Sequence, residues 1–147
     1  SRVIAYCRDE IGFASGAGSI RWLYRVVRVG DPVFLTDENF TAVTSHSQRY
    51  KFVKLFTPWC RYCRVLKEVV KELKNQLVER KDIEFYEVNC HLNQNTCFQL
   101  QAFSFPMTVI YGADGHLKDR IVGAMPLQVM REFVDRNTQE VFKVGGN

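Results

Sequence analysis

Nothing in this sequence is apolar for long enough to cross a membrane, since its hydrophobic runs stop well short of the roughly 18 residues that a span requires. A transmembrane segment is therefore not expected. The chain also lacks an initiator methionine and a signal-like apolar opening, which gives Ser1 the look of a processed start. Internal repeats and low-complexity tracts are missing, and with them any case for a fibrous or disordered protein. No nucleic-acid-binding motif occurs, so a nucleic-acid partner is not expected.

What remains is an ordinary globular composition, with 46% hydrophobic and 24% charged residues over 147 positions. A chain of that length suits one domain that buries about two thirds of its unfolded surface. The net charge of +4 is unevenly placed. Arg2, Arg8, Arg21, Arg25 and Arg28 outweigh Asp9 and Glu10 in the first thirty residues and leave the rest nearly neutral. That lead reads as a solvated extension that could also touch an acidic partner or a membrane surface. Cysteine is the residue in surplus: of five, Cys60 and Cys63 form one close pair, Cys90 and Cys97 another, and Cys7 is left over. Two pairs suggest an oxidising compartment; Cys7 is either a free thiol or pairs outside this chain.

Residues 1–31 read as an extension with a run of small residues at Ala14–Ser19 and a short amphipathic helix over 20–29. The main domain, 32–147, alternates strands with helices. A strand at 33–36 is followed by a helix starting at Asp37 and Glu38, where acidic side chains suit the helix dipole. A second strand at 52–56 leads to a long helix from Cys60 to about Glu79, with Leu66, Val69, Val70, Leu73 and Leu77 as its inward stripe. A third strand at 83–88, a short helix at 93–102 and a hairpin of 108–111 with 117–122 come next. Pro126 opens a last helix that carries Leu127, Met130, Phe133 and Val134 inward. The order β-α-β-α-β-α-β-β-α implies an α/β fold with a mixed sheet covered by helices on both faces.

The chemistry falls at the turn from the second strand into its long helix. There Cys60 meets unpaired amides and the positive end of the helix dipole, both of which favour a thiolate. Arg61 and Arg64 add positive charge, and Cys63, one turn along, is near enough to close a disulfide. Cys60 is thus the expected nucleophile, and Cys63 the group that resolves the mixed disulfide. Pro58-Trp59-Cys60-Arg61-Tyr62-Cys63 resembles the active-site motif of thioredoxins and protein disulfide isomerase domains. A second signature of that family, a cis proline facing the dithiol, is matched by Phe105-Pro106-Met107-Thr108. The resemblance covers about residues 33–137 and implies a thioredoxin fold, thiol-disulfide exchange on protein substrates, and an upstream oxidase or reductase as partner. It implies no cofactor beyond the redox-active Cys60–Cys63 pair, and no metal.

Glu87-Val88-Asn89-Cys90 and Asn95-Thr96-Cys97 are similar to the stretch of endoplasmic-reticulum isomerase domains that carries a structural disulfide, which implies a Cys90–Cys97 bond and a secretory lumen. Arg61 and Tyr62 replace the Gly-His or Gly-Pro usual between the two cysteines, and Gly123-Ala124-Met125-Pro126 lacks the arginine that isomerases carry there. Trp59, Phe105 and Pro106 are expected to receive substrate, with Phe103 nearby. His91, His116 and His46 are read as ordinary loop or turn residues away from the dithiol. Two charges stand where apolar residues should: Lys54 alternates with Phe52 and Phe56, and Glu87 with Ile83 and Phe85. The family buries an acid at the first position and a lysine at the second, so this chain holds the pair with signs exchanged. The two are expected to meet between adjacent strands, either as a structural ion pair or as the group that takes the proton of the resolving thiol. Two other readings compete with exchange chemistry. One is a structural zinc held by the four paired cysteines or by His91 in place of Cys90; the other is a binding module with an idle or regulatory dithiol.

Overall fold

Five strands form a single sheet in the computed structural model, which describes residues 33–45 and 48–139. The extension 1–31, with Cys7 and the helix expected over 20–29, lies outside the described residues, as does His46. The elements run β1 (Phe34–Leu35), α1 (Phe40–Ser45), β2 (Tyr50–Phe56), α2 (Arg61–Gln76), β3 (Ile83–Asn89), α3 (Gln94–Gln99), β4 (Met107–Tyr111), β5 (Leu117–Val122) and α4 (Leu127–Asn137).

Across the sheet the order is β1-β3-β2-β4-β5. The first three are parallel, and β4 runs antiparallel to both of its neighbours, β2 and β5. β2 therefore sits in the middle, and its Tyr-Lys-Phe-Val-Lys-Leu-Phe sequence is buried from Lys51 through Leu55. A strand with helices on both faces cannot alternate wet and dry, which is why apolar side chains fill both sides of it.

Those two sides belong to separate cores. Val53 and Leu55 pack with Leu35, Val88, Val109, Phe40 of α1 and Cys97 of α3. Phe52 packs on the other face with Ile83, Ile110, Leu66, Val70 and Leu73 of α2, and Met130, Phe133 and Val134 of α4. The stripe expected on the long helix is the one that is buried, with Val69 half-covered.

Boundaries shift where local signals compete with tertiary bonds. No acidic residue lies in the first turn of α1, which begins at Phe40 rather than at Asp37. Asp37 instead reaches across to α3, where its Oδ1 accepts from the backbone N–H (2.9 Å) and the hydroxyl (2.6 Å) of Thr96. It serves the amino end of a different helix from the one it precedes. The long helix stops at Gln76, three residues short of expectation, and Pro126 is the residue before α4 rather than its first turn. Gly115, at φ 87°, closes the β4–β5 hairpin; a Cβ there would lie 2.9 Å from the Ser45 backbone at the end of α1.

Candidate active site

Thr57 and Pro58 end β2, and the chain turns so that the Cys60 N–H donates to the Thr57 carbonyl at 3.3 Å. Cys60 then sits as the cap of α2 in an extended conformation, φ −85° and ψ 115°. Its sulfur accepts the Cys63 backbone N–H at 3.0 Å. A sulfur in the place usually taken by a Ser or Asp oxygen thus receives an amide that the helix cannot satisfy internally. Cys60 and Cys63 are joined as a disulfide, with their Cα atoms 5.2 Å apart. The two sulfurs differ in access: Cys60 is partly exposed, whereas Cys63 is 5% exposed against the core. One can be met by a partner, and the other lies one turn behind it.

The same end of the sheet gathers the remaining expected residues. Leu55 lies opposite Met107, so Pro106 stands level with the end of β2, and the Phe105–Pro106 bond is cis. Pro106 is buried and Phe105 half-buried, and the Pro106 carbonyl accepts the Gly123 N–H at 2.8 Å. Trp59 is 65% exposed. Its ring meets that of His91 edge-on at 4.9 Å between centroids. His91 thus belongs to the neighbourhood of the dithiol, contrary to the sequence reading. β2 and β3 are parallel neighbours, so the loops that follow them emerge side by side. His116 stays in the hairpin at the far end, 3.5 Å from Asp114.

Lys54 and Glu87 are direct register partners on β2 and β3, and their charged atoms are 3.4 Å apart. The side chains are 4% and 17% exposed. Burial pulls the Lys54 ammonium below the usual lysine range; Glu87 opposes that pull, and Lys67 on α2 adds to it. The pair lies in a cleft beneath α2 that Val70, Lys74, Phe85 and Tyr86 help to line, further along the helix than Cys63. On its other side Lys54 faces Thr108, whose hydroxyl is buried without a hydrogen-bond partner among the described residues. Sequence reasoning gave Thr108 no part beside Lys54, a place that comes from the pairing of β2 with β4.

Cys90 and Cys97 form a second disulfide, Cα atoms 5.7 Å apart, and both are buried beside α3. The four cysteines are therefore split into two bonded pairs rather than gathered around one point. No group of three or more His, Cys, Asp or Glu side chains able to hold a metal ion occurs among the described residues.

A parallel-to-antiparallel sheet that delivers a dithiol onto the cap of a long helix, beside a cis proline, is the arrangement of thioredoxin-fold oxidoreductases. The chain belongs to the thioredoxin family, whose model, Thioredoxin, matches residues 31–136. It is a thioredoxin-family oxidoreductase with a Cys60-x-x-Cys63 pair able to close as a disulfide. Among relatives, a probable protein disulfide-isomerase A6 of Medicago sativa is 28% identical over 128 residues, covering 86% of this chain and 34% of its own. Protein disulfide-isomerase 5-1 of Arabidopsis thaliana is 24% identical, over 74% of this chain and 73% of its own. Thioredoxin M4, chloroplastic, of the same plant is 26% identical, over 69% and 51%. The chain thus spans about a third of the first relative and about three quarters of the second. In fold it is similar to a mutant thioredoxin from Halobacterium salinarum NRC-1, with a TM-score of 0.65 at 20% identity over 79% of this chain and 98% of that one. No helix among the described residues is long and apolar enough to cross a membrane.

Proposed function

We propose that this protein is a protein disulfide isomerase-like thiol-disulfide oxidoreductase that acts on protein disulfides in an oxidising lumen of the secretory pathway. The observation that carries this reading is the capped Cys60 with Cys63 behind it, supported by the second, buried Cys90–Cys97 disulfide. The relatives named as disulfide isomerases favour it further. Those named as chloroplastic thioredoxins favour the other reading, a thioredoxin-type reductase.

In the reduced protein the Cys60 thiolate attacks one sulfur of a substrate disulfide. A mixed disulfide forms, and the other substrate sulfur leaves as a thiolate. Cys63, deprotonated, then attacks the Cys60 sulfur and releases the second substrate thiolate. The substrate disulfide has gained two electrons, and the Cys60–Cys63 dithiol has lost them. Run backwards, the same steps install a disulfide. The pair itself is the redox group, so no separate cofactor is called for; an upstream oxidase or reductase resets it.

Trp59, Phe105 and Pro106 border the path of an incoming chain. Lys54 or Glu87 receives the proton of the Cys63 thiol; Lys54 is suited to this because burial favours its neutral form. The helix end and the nearby Arg61 and Arg64 stabilise the thiolate, and whatever stabilises the reduced form makes the disulfide more oxidising. The reduction potential against glutathione is the test. A value near the isomerase figure of about −180 mV supports the reading, and one near the thioredoxin figure of about −270 mV replaces it with a thioredoxin-type reductase. Failure to reduce any protein disulfide would leave a binding module.

A further inference from the structure

Three segments converge on the dithiol: residues 57–64, which carry it, 89–106, which run from the end of β3 to the cis proline, and 123–126, which precede α4. Their sequences hold two arginines, Arg61 and Arg64, and no aspartate or glutamate. Both arginines are exposed on the first turn of α2, one helical turn apart. The ion pairs and side-chain hydrogen bonds of the described residues lie elsewhere, so neither guanidinium is neutralised within them. Glu68, one turn further along α2, is the first carboxylate on that helix and pairs with neither.

The same segments also expose apolar side chains. Tyr62, Trp59, Phe103, Phe98 and Leu92 are between 62% and 71% exposed, and Phe98 and Phe103 meet edge-on at 6.2 Å. The acids nearest these segments follow β1: Asp37, whose carboxylate is already held by Thr96 of α3, and the exposed Glu38 beside it, neither of them paired with Arg61 or Arg64. Exposed aromatic surface at the same end of the sheet as two such arginines has a definite complement: an extended peptide that carries acidic and apolar side chains near its cysteine.

We infer that the dithiol end is a docking surface for client segments whose cysteines are flanked by acidic residues, with Arg61 and Arg64 meeting the acids and the Trp59–Phe103 side receiving an apolar residue. The inference rests on the exchange reading for its purpose, but the docking itself is a binding event that can be measured without turnover.

The test uses the full chain in its disulfide form and fluorescent peptides of one sequence in which Ser replaces Cys, with an aromatic residue on one side and Glu-Glu, Gln-Gln or Lys-Lys on the other. Fluorescence anisotropy at low salt should rank them acidic, neutral, basic. Two exposed ion pairs predict about three- to tenfold tighter binding of the acidic peptide than of the neutral one. The advantage should shrink in about 0.5 M salt, where the screening length falls to a few ångströms, and disappear in Arg61→Gln/Arg64→Gln. Equal affinity for acidic and neutral peptides, tighter binding of the basic one, or an advantage that survives the double substitution would overturn the inference. If that variant does not fold, the salt dependence of the unaltered protein decides in the same way. Reduction of a small uncharged aromatic disulfide, measured in parallel, reports on the exchange reading alone: a chain that binds acidic peptides but cannot reduce that disulfide keeps the docking surface and loses the enzyme.

Discussion

At the scale of single residues, the difference in access between Cys60, partly exposed, and Cys63, 5% exposed, agrees with the two roles expected from their places at the helix start. Cys60→Ser should reduce exchange to background. Cys63→Ser should keep the first attack and accumulate mixed disulfides, visible as adducts on non-reducing gels. The buried pair behind them offers a sharper question. Glu87→Gln leaves Lys54 buried without its counter-charge, which should cost about 3 kcal/mol in urea unfolding, and Lys54→Met/Glu87→Leu should recover most of that loss. Kinetics then distinguish the two candidate bases. If Glu87 takes the proton, Glu87→Gln slows resolution of the mixed disulfide more than it slows attack. If Lys54 does, the same substitution leaves burial unopposed, depresses the ammonium further and moves the pH profile of resolution to lower pH. A resolution step unchanged in rate and pH profile would leave only a structural pair. Lys54 also sets a sign for stability. Its folded pKa lies below its ordinary 10.5, so between the two values the unfolded chain binds more protons and stability rises with pH. Lys51, buried and depressed in the same direction, adds to that slope, so Lys54→Met should flatten it in part rather than abolish it.

Elements show where tertiary bonds override local reading. An acid before an apolar run is a sound local signal for a helix start, yet the bonds of Asp37 go to Thr96, 59 positions away. The Asp37 amide in turn donates to Asn93 at 2.9 Å, so the segment after β1 and the start of α3 hold each other. Although what burial there is pulls the other way, the Thr96 hydroxyl and the backbone amides of Thr96 and Asn95 hold the Asp37 carboxyl below its usual 3.8. Asp37→Ala should lower stability by about 1 kcal/mol near neutral pH, as loss of a helix cap does. That difference should vanish as acid protonates Asp37 in the unaltered protein, because a carboxyl with a lowered folded pKa stabilises only above it. The other tie on α3 is Cys90–Cys97, whose bond spans a sequence separation of seven. Cys90→Ala/Cys97→Ala should cost about 2.5 kcal/mol by the chain-entropy argument, and the loss should appear in chemical denaturation of the oxidised proteins. Peptide mapping that recovers both thiols free after oxidative expression would refute the bond and weaken the secretory location.

Across the whole molecule, the succession of strands and helices and the helix faces were legible because each rests on a repeat that the sequence displays: two for strands, 3.6 for helices. The dithiol was legible for a related reason, since its chemistry needs only a strand, a turn and a helix start in succession. His91 was not, because its contact with Trp59 depends on how the turns after β2 and β3 fold over the sheet end, and neither did Thr108 show its place beside Lys54. Both are facts of tertiary arrangement, which a reading along the chain does not contain. The strand order also carries a consequence for motion. β2 has a hydrogen-bonded neighbour on each side and helices over both faces, yet the dithiol hangs from its end. Its amides at Phe52–Leu55 should exchange with deuterium only when the whole domain opens, whereas β5, at the sheet edge, and the six-residue α3 should exchange through smaller openings. Reducing Cys60–Cys63 should accordingly speed exchange in the first turn of α2 and leave the amides of β2 as slow as before: the reactive sulfurs can cycle at the rim of a scaffold that does not have to breathe.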